Sequence, residues 1–168
     1  MEKIAVVSIF PRNLASGGIN FSCIVEPMSE SREIPLLIHS EDNGSVAIFE
    51  EGIVPFPVRR AFAVFAKAGQ LRGAHAHKTC TQMLVALQGS IEVTMDDGYK
   101  TMSSLLSPLS HGLVIPPMTW AIQKYLTDDA TLLVVCDKLF DEDDYIRDRG
   151  NFLSVIGLDV NEPARERE

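Results

Sequence analysis

A chain of 168 residues is long enough for one domain with a sizeable core and too short for two enzymatic domains. Hydrophobic residues make up 46% and charged residues 23%, which excludes a chain that is mainly disordered. The net charge of −8 repels phosphate backbones, so we expect no nucleic-acid partner.

Short apolar segments separated by glycine, proline and Asp-Gly predict an all-β chain. Within residues 1–41, whose role the sequence does not indicate, strands are expected at 4–10 and 21–25. Further strands are expected at 45–50, 60–66, 82–88, 91–95, 99–106, 113–115, 120–126 and 131–136. Asp97-Gly98 predicts a hairpin turn. Many short, evenly spaced strands are typical of a sandwich or closed barrel, so we predict one domain spanning 1–168.

One short helix is expected near the C-terminal end of the core. Asp141 is a suitable N-cap, Asp144 completes an approximate capping box, and Phe140 and Tyr145 occupy the positions of a hydrophobic staple. The acidic run also suits the positive end of a helix, so we interpret it as a solvated helix start rather than a metal site. Residues 161–168 are predicted to be a frayed tail.

The cysteines and the hydropathy pattern indicate the compartment. Cys23, Cys80 and Cys136 are widely spaced and form no CxxC pair, which suits a reducing cytoplasm. No apolar run approaches the ~20 residues that cross a bilayer, and the first residues lack the apolar stretch of a signal peptide. We therefore expect a cytoplasmic protein with no membrane partner.

The segment 69–82 carries the most informative pattern. His75 and His77 are two residues apart, so on a strand both side chains point to one face. With the flanking glycines, their spacing resembles the first cupin motif, in which His, His and Glu bind a metal inside a small β-barrel; here Gln82 replaces the Glu. Trp120 stands near the position where a second cupin motif supplies another His. Two histidines without these ligands make a poor zinc or iron site, so we predict no metal.

Two metal-free imidazoles on one face indicate acid–base chemistry. Imidazole titrates near neutral pH and is the usual general acid or base. We predict His75 and His77 as the catalytic pair, with His75 as the base that takes a carbon-bound proton. The alternative is a surface HxH or two hydrogen-bonded core histidines, which the flanking glycines at cupin spacing disfavour.

Cations near this segment indicate an anionic ligand in an otherwise acidic protein. Arg60, Arg72 and Lys78 are predicted to bind a group such as a diphosphate, the alternative being solvated charges paired with the excess acids. Gln82 is a further predicted substrate contact. Trp120 would either stack on a base or sugar at the barrel mouth or serve as a core residue.

Two strings are specific in combination: RGAHAHKTCTQ at 72–82 and DEDDYIR at 141–147. PFPVRR at 55–60, GS at 89–90, DDG at 96–98 and GLVIPPMTW at 112–120 accompany them. With these segments in this order, residues 42–153 resemble the dTDP-4-dehydro-6-deoxyglucose 3,4-ketoisomerase family of sugar-nucleotide cupins. After its basic pair that family usually carries aromatic residues, often two tyrosines, where this sequence has Phe62 and Ala63.

The resemblance implies a cupin-type jelly-roll homodimer, without metal or other cofactor, that acts on dTDP-linked 4-keto sugars in bacterial glycan biosynthesis. It places the family's catalytic pair on His75 and His77. A base would remove the hydrogen beside the ketone, an enediol would form, and a proton would return to the former carbonyl carbon. The keto group would thereby move from carbon 4 to carbon 3.

Other functions stay open at this point. A sugar-nucleotide-binding cupin without turnover would account for the missing tyrosines. A related dTDP-sugar epimerase would begin with the same proton removal. A metal-dependent dioxygenase is disfavoured because its ligand set is incomplete.

Overall fold

The computed structural model describes residues 32–158, so the strands expected at 4–10 and 21–25 and the tail expected at 161–168 lie outside the described residues. Short strands make up most of this range. They are β1 (Arg32–Ile34), β2 (Leu37–Glu41), β3 (Gly44–Ile48), β4 (Arg60–Phe65), β5 (Leu71–His77), β6 (Gln82–Gln88), β7 (Ile91–Asp96), β8 (Thr101–Leu106), β9 (Gly112–Ile115), β10 (Trp120–Tyr125), β11 (Thr131–Cys136) and β12 (Tyr145–Ile146). One helix, α1 (Arg149–Val155), follows them.

Ten of these strands form two antiparallel five-stranded sheets, and β2 and β3 form a separate hairpin. The strand orders are β1-β9-β6-β11-β4 and β12-β5-β10-β7-β8. Buried side chains of both sheets meet in one core, including Leu84 and Leu132 from the first sheet and Val93 and Tyr125 from the second. The all-β jelly-roll architecture predicted from the sequence is confirmed.

Most strand predictions agree with the structure within one or two residues. The bounds of β6 and β11 are those predicted, because both are continuous apolar runs buried between neighbouring strands. The start of β8 is two residues later than predicted. Asp97 accepts hydrogen bonds from the N–H groups of Tyr99 and Lys100, which extends the hairpin turn. Strands β1, β2 and β12 were not predicted from the sequence.

The prediction that the helix begins near Asp141 is wrong. The acidic run forms only a 3₁₀ turn at Glu142–Asp144, with Asp141 as its N-cap, and the chain then enters β12. The α-helix begins seven residues later, where the Asp148 carboxylate accepts a hydrogen bond of 2.7 Å from the N–H of Asn151. The Asp144 side chain is not free to cap a helix because its oxygens are bound by residues of the neighbouring segment.

Helix α1 packs on the outer face of the second sheet. Phe152 is fully buried, and its ring centroid lies 5.7 Å from that of Trp120. No helix within residues 32–158 is long and apolar enough to cross a membrane.

Candidate active site

A β-bulge in β5 decides which side chains face the interior. Ala121 pairs with His75 and Ile122 with Gly73, so Ala74 is an extra residue in β5. Arg72 pairs with Gln123, and without the extra residue Arg72 and His75 would lie on opposite faces. A Cβ atom on Gly73, where φ is +79°, would lie 2.8 Å from the carbonyl oxygen of Ala121, so the bulge requires glycine.

Both histidines of β5 point to the interior, as strand alternation predicts. Their ring centroids are 5.1 Å apart and the rings are nearly perpendicular, at 81°. They line a small inner cavity together with Cys80, Gln82 and Gln123. Two imidazoles therefore face one enclosed space from a single strand.

His77 is held in place by a carboxylate. Its Nδ1 lies 2.8 Å from Oδ2 of Asp144, and the two side chains are only 6% and 10% exposed. The other Asp144 oxygen accepts hydrogen bonds from the N–H and the hydroxyl of Thr79 at 2.7 and 2.8 Å. An ionised Asp144 assigns the proton to Nδ1, which leaves Nε2 as an acceptor. That Nε2 is buried and has no hydrogen-bond partner among residues 32–158.

Burial lowers the pKa of both imidazoles. For His77 this effect outweighs the Asp144 hydrogen bond, which acts in the opposite direction, and the positive charges of Arg60 and Arg147 lower the pKa further. For His75 burial is again the largest cause. Although burial opposes it, hydrogen bonds from Thr79 and His77 hold the pKa of Asp144 below its usual value. Near pH 7 both imidazoles are therefore neutral and Asp144 is ionised.

A larger cleft leads from the histidines towards solvent. It contains about 680 Å³ of empty space, part of it open to solvent. Arg72, Arg147 and Tyr145 line it along with His75. Arg72 forms no ion pair with any residue of the described range. Its guanidinium and that of Arg147 give the cleft a cationic wall.

Arg147 and Tyr145 stack at this wall. The guanidinium carbon of Arg147 lies 4.3 Å from the centroid of the Tyr145 ring, and Glu142 accepts two hydrogen bonds from Arg147 at 2.7 and 2.9 Å. The Tyr145 ring also contacts both imidazoles, with centroids 5.0 Å from His75 and 4.2 Å from His77. An aromatic residue of β12 therefore packs directly against the histidine pair.

Four predicted site residues come together here: His75, His77, Arg72 and Gln82. Lys78 does not line the cleft, because its Nζ donates a hydrogen bond of 2.6 Å to the carbonyl oxygen of Asp143. Arg60 is half-buried and does not line the cleft; its Nη2 lies 3.4 Å from Sγ of Cys136.

Trp120 lies outside the cleft, contrary to the expectation that it stacks on a ligand at the barrel mouth. Its side chain is 7% exposed and packs between Phe152 and the guanidinium of Arg149. Ala121 and Gln123 line the inner cavity, and alternation along β10 turns Trp120 to the other face. The structure therefore supports the second possibility, a core residue.

Sequence reasoning missed Asp144, Tyr145 and Arg147 as site residues. Asp144 and Tyr145 were assigned to a helix start, whereas β12 pairs with β5 and places Tyr145 opposite His77. The only signal for them was the DEDDYIR string, which contains all three.

Comparisons with known proteins identify the family of this chain. Residues 29–157 match the family model described as FdtA: WxcM-like, C-terminal. The TDP-4-oxo-6-deoxy-alpha-D-glucose-3,4-oxoisomerase of Aneurinibacillus thermoaerophilus is 37% identical over 112 residues, which are 66% of this chain and 81% of that protein.

Two solved structures are similar over most of their length. A 3,4-ketoisomerase from Helicobacter canadensis has a TM-score of 0.73 and 29% identity, covering 76% of this chain and 97% of its own. The sugar 3,4-ketoisomerase QdtA from Thermoanaerobacterium thermosaccharolyticum, solved in complex with TDP, has a TM-score of 0.72 and 25% identity, covering 77% and 96%. The resemblance to the ketoisomerases inferred from the sequence is confirmed.

Proposed function

Because the chain belongs to the FdtA (WxcM-like, C-terminal) family, we propose that its cleft moves the keto group of a TDP-linked 4-keto-6-deoxyhexose from carbon 4 to carbon 3. The observation that carries the proposal is the Asp144–His77 pair, whose unpartnered Nε2 faces a cavity shared with His75. The named activity of the Aneurinibacillus relative supports the substrate and reaction, and the TDP complex of QdtA supports the nucleotide.

The geometry favours His77 as the base, which reverses the assignment made from the sequence. The Asp144 carboxylate orients His77 and stabilises the imidazolium that forms when Nε2 takes a proton. No carboxylate within the described residues forms an ion pair with His75. His75 is thus better suited to exchange protons with the substrate oxygens.

The proposed reaction divides the work between the two imidazoles. His77 removes the hydrogen on carbon 3 while His75 donates a proton to the oxygen on carbon 4, which gives an enediol. His75 then takes the proton from the oxygen on carbon 3, and His77 returns its proton to carbon 4. Both imidazoles end neutral and the ketone stands on carbon 3.

Binding of the nucleotide is assigned to the cationic wall. Arg72 and Arg147 line the cleft, and guanidinium groups pair well with the oxygens of a diphosphate. Gln82 and Gln123, whose side chains face the same cavity, offer amide groups to the sugar hydroxyls.

The proposed steps need no metal. One cluster of potential ligands, His77, Cys80 and Asp144, has its donor atoms within 4.8 Å of one another. However, both Asp144 oxygens already accept hydrogen bonds from Thr79 and His77. We therefore propose that the reaction does not depend on a metal.

We also propose that the enzyme works as a cytoplasmic homodimer. The free thiols of Cys80 and Cys136 support a reducing compartment.

The test is incubation of the purified protein with dTDP-4-dehydro-6-deoxyglucose, followed by NMR of the sugar. We expect the hydrogen signal of carbon 3 to disappear and a new one to appear at carbon 4. Bound but unchanged substrate would instead favour a binding module. A product that keeps its ketone at carbon 4 with one inverted centre would favour an epimerase.

A further inference from the structure

Thr119 supplies the inner cavity with a hydroxyl group that the proposed reaction does not use. The residue is 3% exposed and lines this cavity together with His75 and His77. Its Oγ1 is buried and has no hydrogen-bond partner among residues 32–158. A buried hydroxyl normally has such a partner, because leaving water without replacing its hydrogen bonds costs free energy. The atom is therefore available to a ligand group that enters the cavity.

The turn before β10 fixes Thr119 beside His77. The N–H of Met118 donates a hydrogen bond of 2.7 Å to the carbonyl oxygen of His77. Met118 has a φ of +57°, in the left-handed region that methionine seldom adopts. Two residues beyond Thr119, Ala121 pairs with His75 and lines the same cavity. The Thr119 side chain therefore faces the space beside the histidine pair from the start of the adjacent strand.

The hydroxyl of Thr119 complements Nε2 of His77. With its proton on Nδ1, His77 offers Nε2 only as an acceptor, whereas a threonine hydroxyl both donates and accepts. A carbon atom that bears a hydrogen and an oxygen can present the hydrogen to Nε2 and the oxygen to Oγ1. In the proposed reaction, carbon 3 of the sugar is such a carbon.

We propose that the Thr119 hydroxyl donates a hydrogen bond to the oxygen on carbon 3 of the keto sugar and thereby positions carbon 3 at His77. The choice of this carbon rests on the proposed function. When His75 takes the proton from this oxygen, negative charge develops on the oxygen, and the Thr119 hydrogen bond stabilises that charge. Thr119 thus contributes both to the binding of sugars with a 3-hydroxyl and to turnover.

The first test measures binding without turnover. Isothermal titration calorimetry compares dTDP-6-deoxyglucose, which has the 3-hydroxyl but no ketone, with dTDP-3,6-dideoxyglucose, which lacks that hydroxyl. The wild type should bind the first sugar more tightly. In Thr119→Val the ratio of the two affinities should fall about 5- to 10-fold, as for the loss of one hydrogen bond. Thr119→Ser, which keeps a hydroxyl, should retain the wild-type ratio.

Thr94→Val is the matched control. Thr94 lies on β7 of the same sheet, lines neither the inner cavity nor the cleft, and pairs its hydroxyl with Oγ of Ser103 at 3.2 Å. This variant removes a threonine hydroxyl elsewhere in the sheet, so it should leave the affinity ratio and kcat at their wild-type values.

The second test follows turnover of dTDP-4-dehydro-6-deoxyglucose by NMR. The kcat of Thr119→Val should fall about 100-fold, as for the loss of a donor to a developing oxyanion. The affinity for TDP, which lacks the hexose, should stay unchanged. Thr119→Ser should keep most of the activity. If Thr119→Val does not fold, Thr119→Ala replaces it in both tests.

Three results would overturn the proposal: an affinity ratio in Thr119→Val equal to that of the wild type, an unchanged kcat in Thr119→Val, or losses in Thr119→Ser as large as those in Thr119→Val. Absence of isomerase activity in the wild type would count against the proposed function alone, since the ratio of affinities still decides whether Thr119 binds this oxygen.

Discussion

Asp144 is the residue on which the orientation of His77 depends. In Asp144→Asn the amide oxygen can still accept from Thr79, but its NH₂ group would then face Nδ1 of His77. The imidazole proton would move to Nε2 and the base would be lost. We expect turnover to fall about 100-fold or more with TDP affinity unchanged in calorimetry. Asp143→Asn, at the exposed neighbouring position, should keep full activity, and an equal loss in both variants would contradict this role.

The lowered pKa of His77 predicts how activity depends on pH. The base works when neutral, so kcat/KM should be constant near pH 7 and fall only below 6.5, the ordinary pKa of histidine. Residual activity of Asp144→Asn should fall at still lower pH, because the carboxylate that favours the charged imidazole is gone. A pH–rate profile measures both. A decline of kcat/KM at or above pH 6.5 in the wild type would contradict a lowered pKa of His77. A decline at higher pH in Asp144→Asn than in the wild type would contradict the role of the carboxylate.

The same shifts affect folding stability. Since burial lowers the folded-state pKa values of His75 and His77, the unfolded chain binds protons first as the pH falls. Their contribution to stability is therefore complete above about pH 6.5 and declines below it.

At the scale of the strand, the bulge in β5 should be sensitive to a single methyl group. Gly73→Ala and Gly69→Ala both place alanine at φ +79°, but only at 73 does the new Cβ meet a backbone atom. We expect Gly69→Ala to lower the free energy of unfolding by about 1–2 kcal/mol and Gly73→Ala to lower it further. Only Gly73→Ala should also reduce kcat, because it displaces His75. Urea denaturation measures the loss of stability and a turnover assay measures kcat. Equal losses in Gly69→Ala and Gly73→Ala would argue against a bulge that requires glycine at 73.

The strands and the helix differ in how far local sequence determines them. Strands β6 and β11 are continuous apolar runs. Because such a run is visible in the local sequence, their bounds were predictable. The helix start was not, because Asp141 and Asp148 are equally good caps. The choice between them depends on Asp144, whose carboxylate is bound by Thr79 and His77 of a distant segment.

At the scale of the whole molecule, exposed apolar side chains and open sheet edges within the described residues support the proposed homodimer. Phe65, Leu71, Leu139 and Phe140 are each more than 60% exposed. Strand β4 is the last strand of its sheet within the described residues. Light scattering should give twice the chain mass of 18.5 kDa at micromolar concentration. A mass of one chain would contradict the proposed homodimer.

The site is assembled from segments far apart in the chain, which limits what sequence alone can show. The common orientation of His75 and His77 was predictable because residues two apart on one strand point to the same face. The contribution of Asp144 was not, since it lies 67 residues from its partner His77 and depends on β12 pairing with β5. The position of Trp120 depends likewise on where α1 docks.

The central claim is that the histidine pair removes the hydrogen on carbon 3, and the most direct test measures the rate of that removal. The rate at which the carbon-3 hydrogen signal of dTDP-4-dehydro-6-deoxyglucose is lost in heavy water would be followed by NMR for the wild type, His75→Asn and His77→Asn. The account predicts a loss of about 100- to 10,000-fold in His77→Asn, with TDP affinity retained. A folded His77→Asn protein that binds TDP and removes this hydrogen at the wild-type rate would contradict it.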